Sequence, residues 1–282
     1  MIGAIIGDIV GSRFEFNNHR LTEFELFTKD CFVTDDSIMT LAVAKAIMET
    51  DKEVVFEASS NKHNRLYLDG LSANTIKYMQ TIGKNYPDCG YGSNFGQWVF
   101  DEDPLPYGSY GNGAAMRISP VSKIAKSIED VKLLSKVITE ISHNHEEGLK
   151  GAEATAMAAY LARTGFDKKQ IRKYIEDHYY PLDFTLDEIR DSYRFNETCQ
   201  ETVPQGIQAF LESDSFEDAI RKVISIGGDS DTLAAITGGI AEAYYGVPDD
   251  LVEIVLTYLD DELLEIYNQW CLRDVKEDLD ME

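Results

Sequence analysis

Two acidic clusters, far apart in the sequence, each precede a strongly apolar segment. Thr34-Asp35-Asp36-Ser37 precedes residues 38–48, and the Gly-Gly-Asp-Ser-Asp-Thr run at 227–232 precedes residues 233–245. Both apolar segments contain few polar residues and are predicted to be helices buried on most sides. Adjacent carboxylates at the start of a buried helix repel one another and lose their hydration, so this arrangement is unfavourable without a compensating charge.

A divalent cation shared by the two clusters would resolve this conflict. Carboxylate and hydroxyl oxygens with no nearby Cys or His favour Mg²⁺ or Mn²⁺. Helix capping is the alternative for either cluster alone, because Ser, Thr and Asp are common N-cap residues and the helix dipole favours acids in a first turn. Two clusters of the same Thr/Asp content favour one shared site. The two ends of the chain must then meet, which predicts a single domain over residues 1–282.

The composition is strongly acidic, with 50 Asp and Glu residues against 26 Lys and Arg residues and a formal net charge of −24. Nucleic-acid binding and docking on an anionic membrane both need a basic surface, so neither partner is expected. The four cysteines are scattered without a C-x-x-C pair, which favours a reducing cytosol over a disulfide scaffold. The N-terminus resembles neither a signal peptide nor a membrane span. These features predict a cytoplasmic protein and leave its oligomeric state open.

The remaining pattern predicts a nearly all-α chain, since no repeated alternation typical of strands is found. Residues 1–12 are expected to form a short buried helix, in which Gly3, Gly7 and Gly11 form a stripe for close approach of another backbone. Pro204 is placed at a helix start. Further helices are predicted over residues 61–79, 128–141, 148–163, 168–177, 205–212, 216–225 and 249–274.

Residues 83–113 combine glycines, prolines and aromatics, which predicts a long ordered loop. Around its end, residues 107–117 carry closely spaced glycines whose free backbone N–H groups could form an anion nest for phosphate oxygens. A plain tight turn is the alternative, and the pattern is neither a P-loop nor a dinucleotide fingerprint. His143 and His145 lie between two helical segments. Without further Cys or His they predict no structural zinc site, and they either bind a ligand or cap a helix.

Asp8 and Glu15 lie near the end of the first predicted helix, with Arg13 between them. A carboxylate beyond a closely packed helix can act as general base toward a metal-bound water. A salt bridge or a helix cap explains the same residues equally well. The spacing does not choose between Asp8 and Glu15.

Taken in order, these segments resemble the ADP-ribosylglycohydrolase family, which includes the dinitrogenase reductase-activating glycohydrolase. The resemblance extends to about Pro248, and the acidic tail beyond Leu259 lies outside it. Each segment alone is a weak signal, whereas their combination is specific. The resemblance is carried by Gly3-Ala4-Ile5-Ile6-Gly7-Asp8, Glu15, Thr34-Asp35-Asp36, the loop at 108–117, Ser142-His143 and the cluster at 227–232.

The resemblance implies an orthogonal all-α helix bundle with two Mg²⁺ or Mn²⁺ ions at its centre. It implies that Glu15 lies near the metals and the scissile bond and that His143 contacts the ligand. Tyr91, Phe95 and Tyr110 become candidates to stack on adenine. The implied metal ligands are Thr34, Asp35, Asp36, Asp229, Asp231 and Thr232. The implied diphosphate-binding residues are Gly108, Ser109, Tyr110, Gly111 and Asn112.

The expected activity is metal-dependent hydrolysis of the glycosidic bond between ADP-ribose and a protein side chain or small molecule. Glu15 would deprotonate the attacking water or stabilise the charge that develops on the sugar. The residues do not indicate whether the acceptor is arginine, serine or another group. Two alternatives remain, a two-metal phosphohydrolase acting on nucleotide diphosphates and a non-catalytic ADP-ribose-binding protein.

Overall fold

The computed structural model describes residues 1–55 and 65–279. Within these ranges the chain forms helices joined by turns and loops, with one isolated bridge between Gly111 and Thr198 and no strand. The predicted all-α architecture is confirmed, although residues 61–64 of the helix expected at 61–79 lie outside the description. None of the described helices is both long enough and apolar enough to cross a bilayer.

The helices are numbered in chain order. They are α1 (Ile2–Ser12), α2 (Asp35–Val55), α3 (Arg65–Gly83), α4 (Ser93–Phe100), α5 (Gly113–Met116), α6 (Ser119–Ile124), α7 (Ile128–Glu140), α8 (Glu146–Arg163), α9 (Lys168–His178), α10 (Leu186–Ile189), α11 (Cys199–Glu212), α12 (Phe216–Ile224), α13 (Ser230–Tyr245), α14 (Asp249–Leu256) and α15 (Asp261–Leu279).

Helices α1 and α13 pack antiparallel with their backbones in direct contact. A Cβ atom added to Gly7 would lie 1.9 Å from the carbonyl oxygen of Ala234. Gly3 and Gly11 face the backbone of α13 almost as closely. A Cβ atom added to Gly3 would lie 2.3 Å from the carbonyl oxygen of Gly238, and one added to Gly11 would lie 2.5 Å from that of Ser230. Only glycine permits this approach, because any side chain would overlap the opposing carbonyl groups. The predicted close approach of a second backbone is confirmed.

This pairing places the C-terminal half of α1 beside the first turn of α13. Asp8 on α1 and Asp231 on α13 are both buried there. Helix α2 begins at the same place, since the backbone N–H groups of Thr34 and Ser37 donate to Asp8 Oδ2 at 3.2 and 3.1 Å. Three helix ends therefore meet, and each of them brings carboxylates from a different part of the sequence.

The segment at 83–113 is not one continuous loop, as the sequence had indicated. Helix α4 lies within it, because Phe95, Trp98 and Val99 form an apolar face that is buried against the core. The indole N–H of Trp98 donates to the carbonyl of Ile141 at 3.1 Å and fixes α4 to the end of α7. Gly96 lies within this helix, and the other glycines and the prolines of the segment lie outside it.

Two other predicted helix boundaries were wrong. The helix expected at 249–274 is two helices, because the chain turns after Leu256 and Asp260 Oδ1 accepts from the N–H of Leu263 at 3.0 Å. Pro204 does not begin a helix, since α11 starts at Cys199 and contains the proline within it.

Replacing Gly7 by alanine tests the contact between α1 and α13. The new methyl group would overlap the Ala234 carbonyl, so we expect the free energy of unfolding to fall by about 3 kcal/mol or more, the upper range for overpacking. Denaturant unfolding monitored by circular dichroism measures this change.

Gly70→Ala in α3 is the matched control, because the nearest atom to its added Cβ is the Thr50 methyl at 3.7 Å. This variant should be neutral or stabilised by up to about 1 kcal/mol through helix propensity. Equal stability of the two alanine variants would contradict the tight backbone contact.

Candidate metal centre and substrate cavity

The predicted site residues surround one cavity of about 280 Å³. Thr34, Gly108 and Tyr110 do not line it, whereas the other predicted residues do. Those that line it are Glu15, Asp35, Asp36, Ser109, Gly111, Asn112, His143, Asp229, Asp231 and Thr232. The structure therefore brings together residues from both ends of the chain and from the central loop.

The carboxylates converge as two overlapping groups. Ligand oxygens of Asp8, Asp36 and Asp231 lie within 4.8 Å of one another, and so do those of Glu15, Asp229 and Asp231. Asp231, in the first turn of α13, belongs to both groups. Asp35 belongs to neither group, but its side chain lines the same cavity.

Asp8 and Glu15 occupy different surroundings. Both oxygens of Asp8 accept hydrogen bonds, Oδ1 from the Thr34 hydroxyl at 2.6 Å and Oδ2 from the Thr34 and Ser37 amides and the Ser37 hydroxyl. Asp8 therefore caps α2 from a neighbouring helix and does not line the cavity. Glu15 lies just beyond the end of α1, is partly exposed and faces the cavity.

Helix capping does not account for the other aspartates. Asp229 is the N-cap residue of α13, but its side chain makes no capping hydrogen bond and Oδ2 instead accepts from Asn112 Nδ2 at 2.7 Å. At α2 the Thr34 hydroxyl accepts from the Asp36 amide at 3.3 Å, so the threonine provides the local cap. Asp36 Oδ2 accepts from the Thr232 hydroxyl of α13 at 3.2 Å, which links the two clusters.

The donor set fits divalent cations. Asp36 Oδ1 and Asp231 Oδ1 are buried and have no hydrogen-bond partner. An ionised carboxylate oxygen can only accept, so a buried one without a donor is strongly unfavourable unless a cation coordinates it. Closely spaced hard oxygen atoms suit Mg²⁺ or Mn²⁺.

Burial raises the pKa of each aspartate in this cluster, and for Asp35, Asp36, Asp229 and Asp231 repulsion from neighbouring carboxylates raises it further. Burial raises the pKa of Asp8 to about 6 despite its four hydrogen bonds, and it raises that of Asp229 to about 7. Burial raises the pKa values of Asp35, Asp36 and Asp231 well above the usual range, and neighbouring carboxylates add to the effect. The protein alone therefore does not neutralise the cluster.

The pKa of Glu15 is raised to about 8. Burial is the largest cause, followed by the negative charges of Asp231, Glu197 and Asp8. Three of its four causes are thus neighbouring carboxylates. Any positive charge that binds among them would lower this pKa again, because it offsets the repulsion.

Three backbone amides of the glycine-rich loop are used within the protein. The N–H of Gly108 donates to Asn144 Oδ1 at 2.7 Å and that of Gly111 to Ser109 Oγ at 3.1 Å. The N–H of Asn112 donates to the carbonyl of Glu197 at 2.7 Å. These three amides hold the loop in its fold and are not free to bind a ligand.

The two histidines of the Ser-His-Asn-His segment have separate positions. His145 is the N-cap residue of α8, where its Nδ1 accepts from the Glu147 amide at 3.1 Å. His143 is buried and lines the cavity beside Gly111 and Gly113. The capping alternative therefore describes His145, and the ligand-facing position belongs to His143.

The aromatic candidates also differ. Phe95 lines the cavity, and Tyr91 packs against its ring edge-on with centroids 5.6 Å apart. Tyr110 lies outside the cavity and is 46% exposed, with its ring 5.1 Å from that of His145. Only Phe95 of these three can contact a ligand inside the cavity as it stands.

Sequence analysis missed Glu197 and Gly90, which also line the cavity. Glu197 precedes α11 in a stretch without a motif, so only the tertiary fold brings it close to Glu15. Gly90 has a φ of +115°, and an added Cβ would lie 2.9 Å from Asp35 Oδ1. The glycine-rich run at 90–96 was the available signal, but it does not reveal which acid it would approach.

Comparison with known protein families identifies one family that matches nearly the whole chain. The family model described as ADP-ribosylglycohydrolase matches residues 1–278. The similarity therefore continues past Pro248 and includes most of the C-terminal region that the sequence resemblance had left outside.

Individual relatives are similar over most of their length. Human ADP-ribosylhydrolase ARH3 is 24% identical over 323 residues, covering 88% of this chain and 84% of the relative. ADP-ribosylarginine hydrolase Tri1 of Pseudomonas putida is 24% identical over 277 residues, covering 90% and 72%. A solved structure titled ADP-ribosylglycohydrolase-related protein complex superposes with a TM-score of 0.62 at 19% identity, covering 94% of this chain and 93% of that one. This last likeness shows the shared fold.

The acid cluster predicts a pH-dependent stability in a chelator. Because folding raises the pKa of Asp8 to about 6, of Asp229 to about 7 and of Glu15 to about 8, the folded state keeps protons that the unfolded chain releases near pH 4. Their contribution to stability is greatest below that pH and is lost as the pH rises toward 8. We expect the Tm in EDTA to fall from pH 5 to pH 8, and Mg²⁺ to raise it most at pH 8.

Asp36→Asn is the companion variant for this measurement. It removes one charge but keeps an oxygen that can accept from Thr232, so at pH 8 in EDTA its Tm should exceed that of the wild type. The increase caused by Mg²⁺ should shrink at the same time. A wild-type Tm that stays level or rises between pH 5 and pH 8 in EDTA would show that the cluster is neutralised in another way.

Proposed function

Since the chain belongs to the ADP-ribosylglycohydrolase family, we propose that it is a metal-dependent hydrolase that releases ADP-ribose from an acceptor. The bond cleaved is the glycosidic bond between ADP-ribose and a protein side chain or a small molecule. The observation that carries this proposal is the meeting at one cavity of Glu15, just beyond α1, with carboxylates from the starts of α2 and α13. The names of the relatives, an ADP-ribosylhydrolase and an ADP-ribosylarginine hydrolase, support the substrate class.

Two Mg²⁺ or Mn²⁺ ions are part of the proposal. Bound here, they would orient the sugar hydroxyls and lower the pKa of a coordinated water. The overlap of the two carboxylate groups at Asp231 supports two adjacent positions. The Thr34 hydroxyl gives its proton to Asp8 and accepts from the Asp36 amide, so one oxygen lone pair remains for a cation. The proposed ligands are Thr34, Asp35, Asp36, Asp229, Asp231 and Thr232.

Glu15 is proposed as the acid–base residue, and Asp8 as a support for the ligands. Glu15 faces the cavity, whereas the oxygens of Asp8 are occupied by Thr34 and Ser37. Glu15 would accept the proton of the attacking water or stabilise the positive charge on the sugar as the acceptor leaves. Relief of the repulsion from Asp231 and Asp8 lowers its pKa toward the range in which it is ionised.

The central loop and His143 are proposed to hold the diphosphate. Ser109, Gly111, Asn112 and His143 line the same cavity as the carboxylates and can contact a ligand there. Gly108 and Tyr110 would support them through backbone bonds: the Gly108 amide donates to Asn144, and the Tyr110 carbonyl accepts from Cys199 at 3.0 Å. The same proposal includes a single domain over residues 1–282 and a cytoplasmic location.

The activity is tested with a panel of ADP-ribosylated substrates. We expect peptides carrying ADP-ribosyl-arginine or ADP-ribosyl-serine, or a small ADP-ribose conjugate, to yield free ADP-ribose in the presence of Mg²⁺ and none in excess EDTA. Product masses decide between reaction classes, because a phosphohydrolase would release phosphate or a nucleoside monophosphate instead. Turnover that survives complete chelation would exclude the proposed metal dependence.

Asp231→Asn should abolish turnover on the substrate that the panel identifies, since Asp231 belongs to both carboxylate groups. Asp250→Asn, at an exposed position in α14, is the matched control and should retain wild-type turnover. Similar rates for the two variants would contradict the proposed site.

Glu15→Gln separates an enzyme from a binding protein. Losing a general base should reduce kcat by about 100-fold or more, while ADP-ribose affinity measured by calorimetry changes little. Glu102→Gln, at an exposed position, is the control. An unchanged kcat in Glu15→Gln would reassign the acid–base role, and absence of turnover in the wild type on every substrate would favour the non-catalytic alternative.

A further inference from the structure

A buried arginine lies behind the cavity wall and has no part in the proposed chemistry. Arg117 is fully enclosed, and its guanidinium carbon lies 5.1 Å from the ring centre of Phe95. Its Nη2 atom donates to the Ser142 hydroxyl at 2.7 Å, while Nε and Nη1 are buried without a hydrogen-bond partner. Burial lowers the pKa of Arg117 to about 10, so the side chain is still a cation at neutral pH.

The hydrogen bonds around His143 favour one arrangement of protons. A guanidinium group donates and cannot accept, so Ser142 Oγ accepts from Arg117 and still has one proton to donate and one lone pair with which to accept. The atom next to that hydroxyl is His143 Nδ1, at 2.9 Å. Arg117 Nη2 itself lies 3.4 Å from the same nitrogen. Because Arg117 can only donate, a proton on Nδ1 would point toward a cationic N–H group. The arrangement in which Nδ1 accepts from Ser142 and Arg117 avoids this repulsion and is the favoured one.

The other ring nitrogen of His143 faces the cavity. A Cβ atom added to Gly113 would lie 3.3 Å from His143 Nε2, and one added to Gly111 would lie 3.7 Å away. Burial and then the charge of Arg117 lower the pKa of His143 well below its usual value, so the ring is neutral. A neutral imidazole whose Nδ1 accepts carries its proton on Nε2.

We propose that Arg117 and Ser142 are positioning residues that lock His143 in the Nε2–H tautomer, which presents a fixed hydrogen-bond donor to an anionic group in the cavity. The identity of that group, a diphosphate oxygen of ADP-ribose, rests on the proposed function. The relay from Arg117 through Ser142 to His143 does not, because it is defined by contacts within the protein.

The charge distribution of the cavity explains why a neutral donor suits this wall. The same cavity is lined by Asp35, Glu15 and other carboxylates, so a cationic side chain exposed here would be attracted to those carboxylates. The other histidine tautomer would turn a nitrogen lone pair toward the anion and repel it. Arg117 stays buried, and through Ser142 it fixes a neutral N–H donor of His143 toward the ligand.

The tautomer is measured directly by NMR on the full chain labelled with ¹⁵N-histidine, without ligand and in EDTA. Long-range ¹H–¹⁵N correlations distinguish protonated from unprotonated ring nitrogens, and loss of one spin system in His143→Gln assigns His143 among the five histidines. We expect Nε2 protonated and Nδ1 unprotonated at pH 7. A proton on Nδ1, or on both nitrogens, would overturn the proposal.

Variants of Arg117 test the direction of the relay. In Arg117→Met the Ser142 hydroxyl can turn to accept from Nδ1–H, so both tautomers should be populated. ADP-ribose affinity should then fall in proportion to the remaining Nε2–H fraction, about twofold for an equal mixture. Binding of adenosine, which has no phosphate, should change little. Arg117→Lys keeps a donor-only cation and should restore both the tautomer and most of the affinity.

Ser135→Ala is the control for buried hydroxyl loss, because Ser135 donates only to carbonyl groups within α7. Ser135→Ala should leave the His143 tautomer unchanged. Ser142→Ala should lower the population of the Nε2–H tautomer and give a mixture of the two. A pure Nε2–H tautomer in folded Arg117→Met would contradict the role of Arg117, and if that variant does not fold, the wild-type spectrum decides the proposal. Failure of ADP-ribose to bind the wild type would refute the proposed function without changing the NMR result.

Discussion

The contact between the backbones of α1 and α13 is the constraint on which the rest of the structure depends. Because Gly7 lies against the Ala234 carbonyl with no room for a Cβ, the two helices have one register. That register places Asp8 beside the start of α2 and Asp231 beside Asp36. The carboxylate cluster is therefore a consequence of glycine spacing near the N-terminus and of a helix more than two hundred residues later.

This arrangement sets stability against function. The buried carboxylates have raised pKa values and unpartnered oxygens, so the folded protein without cations carries concentrated repulsion. Well-packed neighbouring surfaces hold it in place, since packing and the hydrogen bonds that Asp8 makes to α2 do not depend on a metal. A cation that binds the folded state but not the unfolded chain would relieve the repulsion and stabilise the fold by mass action. The same feature would give the proposed site its affinity for divalent ions.

The sequence could predict the parts of the site that conflict with ordinary helix chemistry. Asp35-Asp36 and Asp229-Ser230-Asp231 stand out because acids rarely begin buried helices, and the glycine stripe stands out because it weakens a helix. Glu197 carries no such conflict and is recognisable only through the fold. Helix α4 was missed because its glycine-rich flanks obscured a short apolar face. The broken C-terminal helix was missed because apolar periodicity continues across a turn that Asp260 caps.

The sequence alone could not assign different roles to Asp8 and Glu15. Spacing could not separate it from Glu15, since both are carboxylates near one helix end. Burial distinguishes the two residues. The oxygens of Asp8 accept hydrogen bonds from Thr34 and Ser37, whereas the side chain of Glu15 faces the cavity. Arg117 is buried in the same way, behind Ser142 and His143. Asp8 and Arg117 therefore act on the site through hydrogen bonds to its other residues, whereas Glu15 and His143 line the cavity themselves.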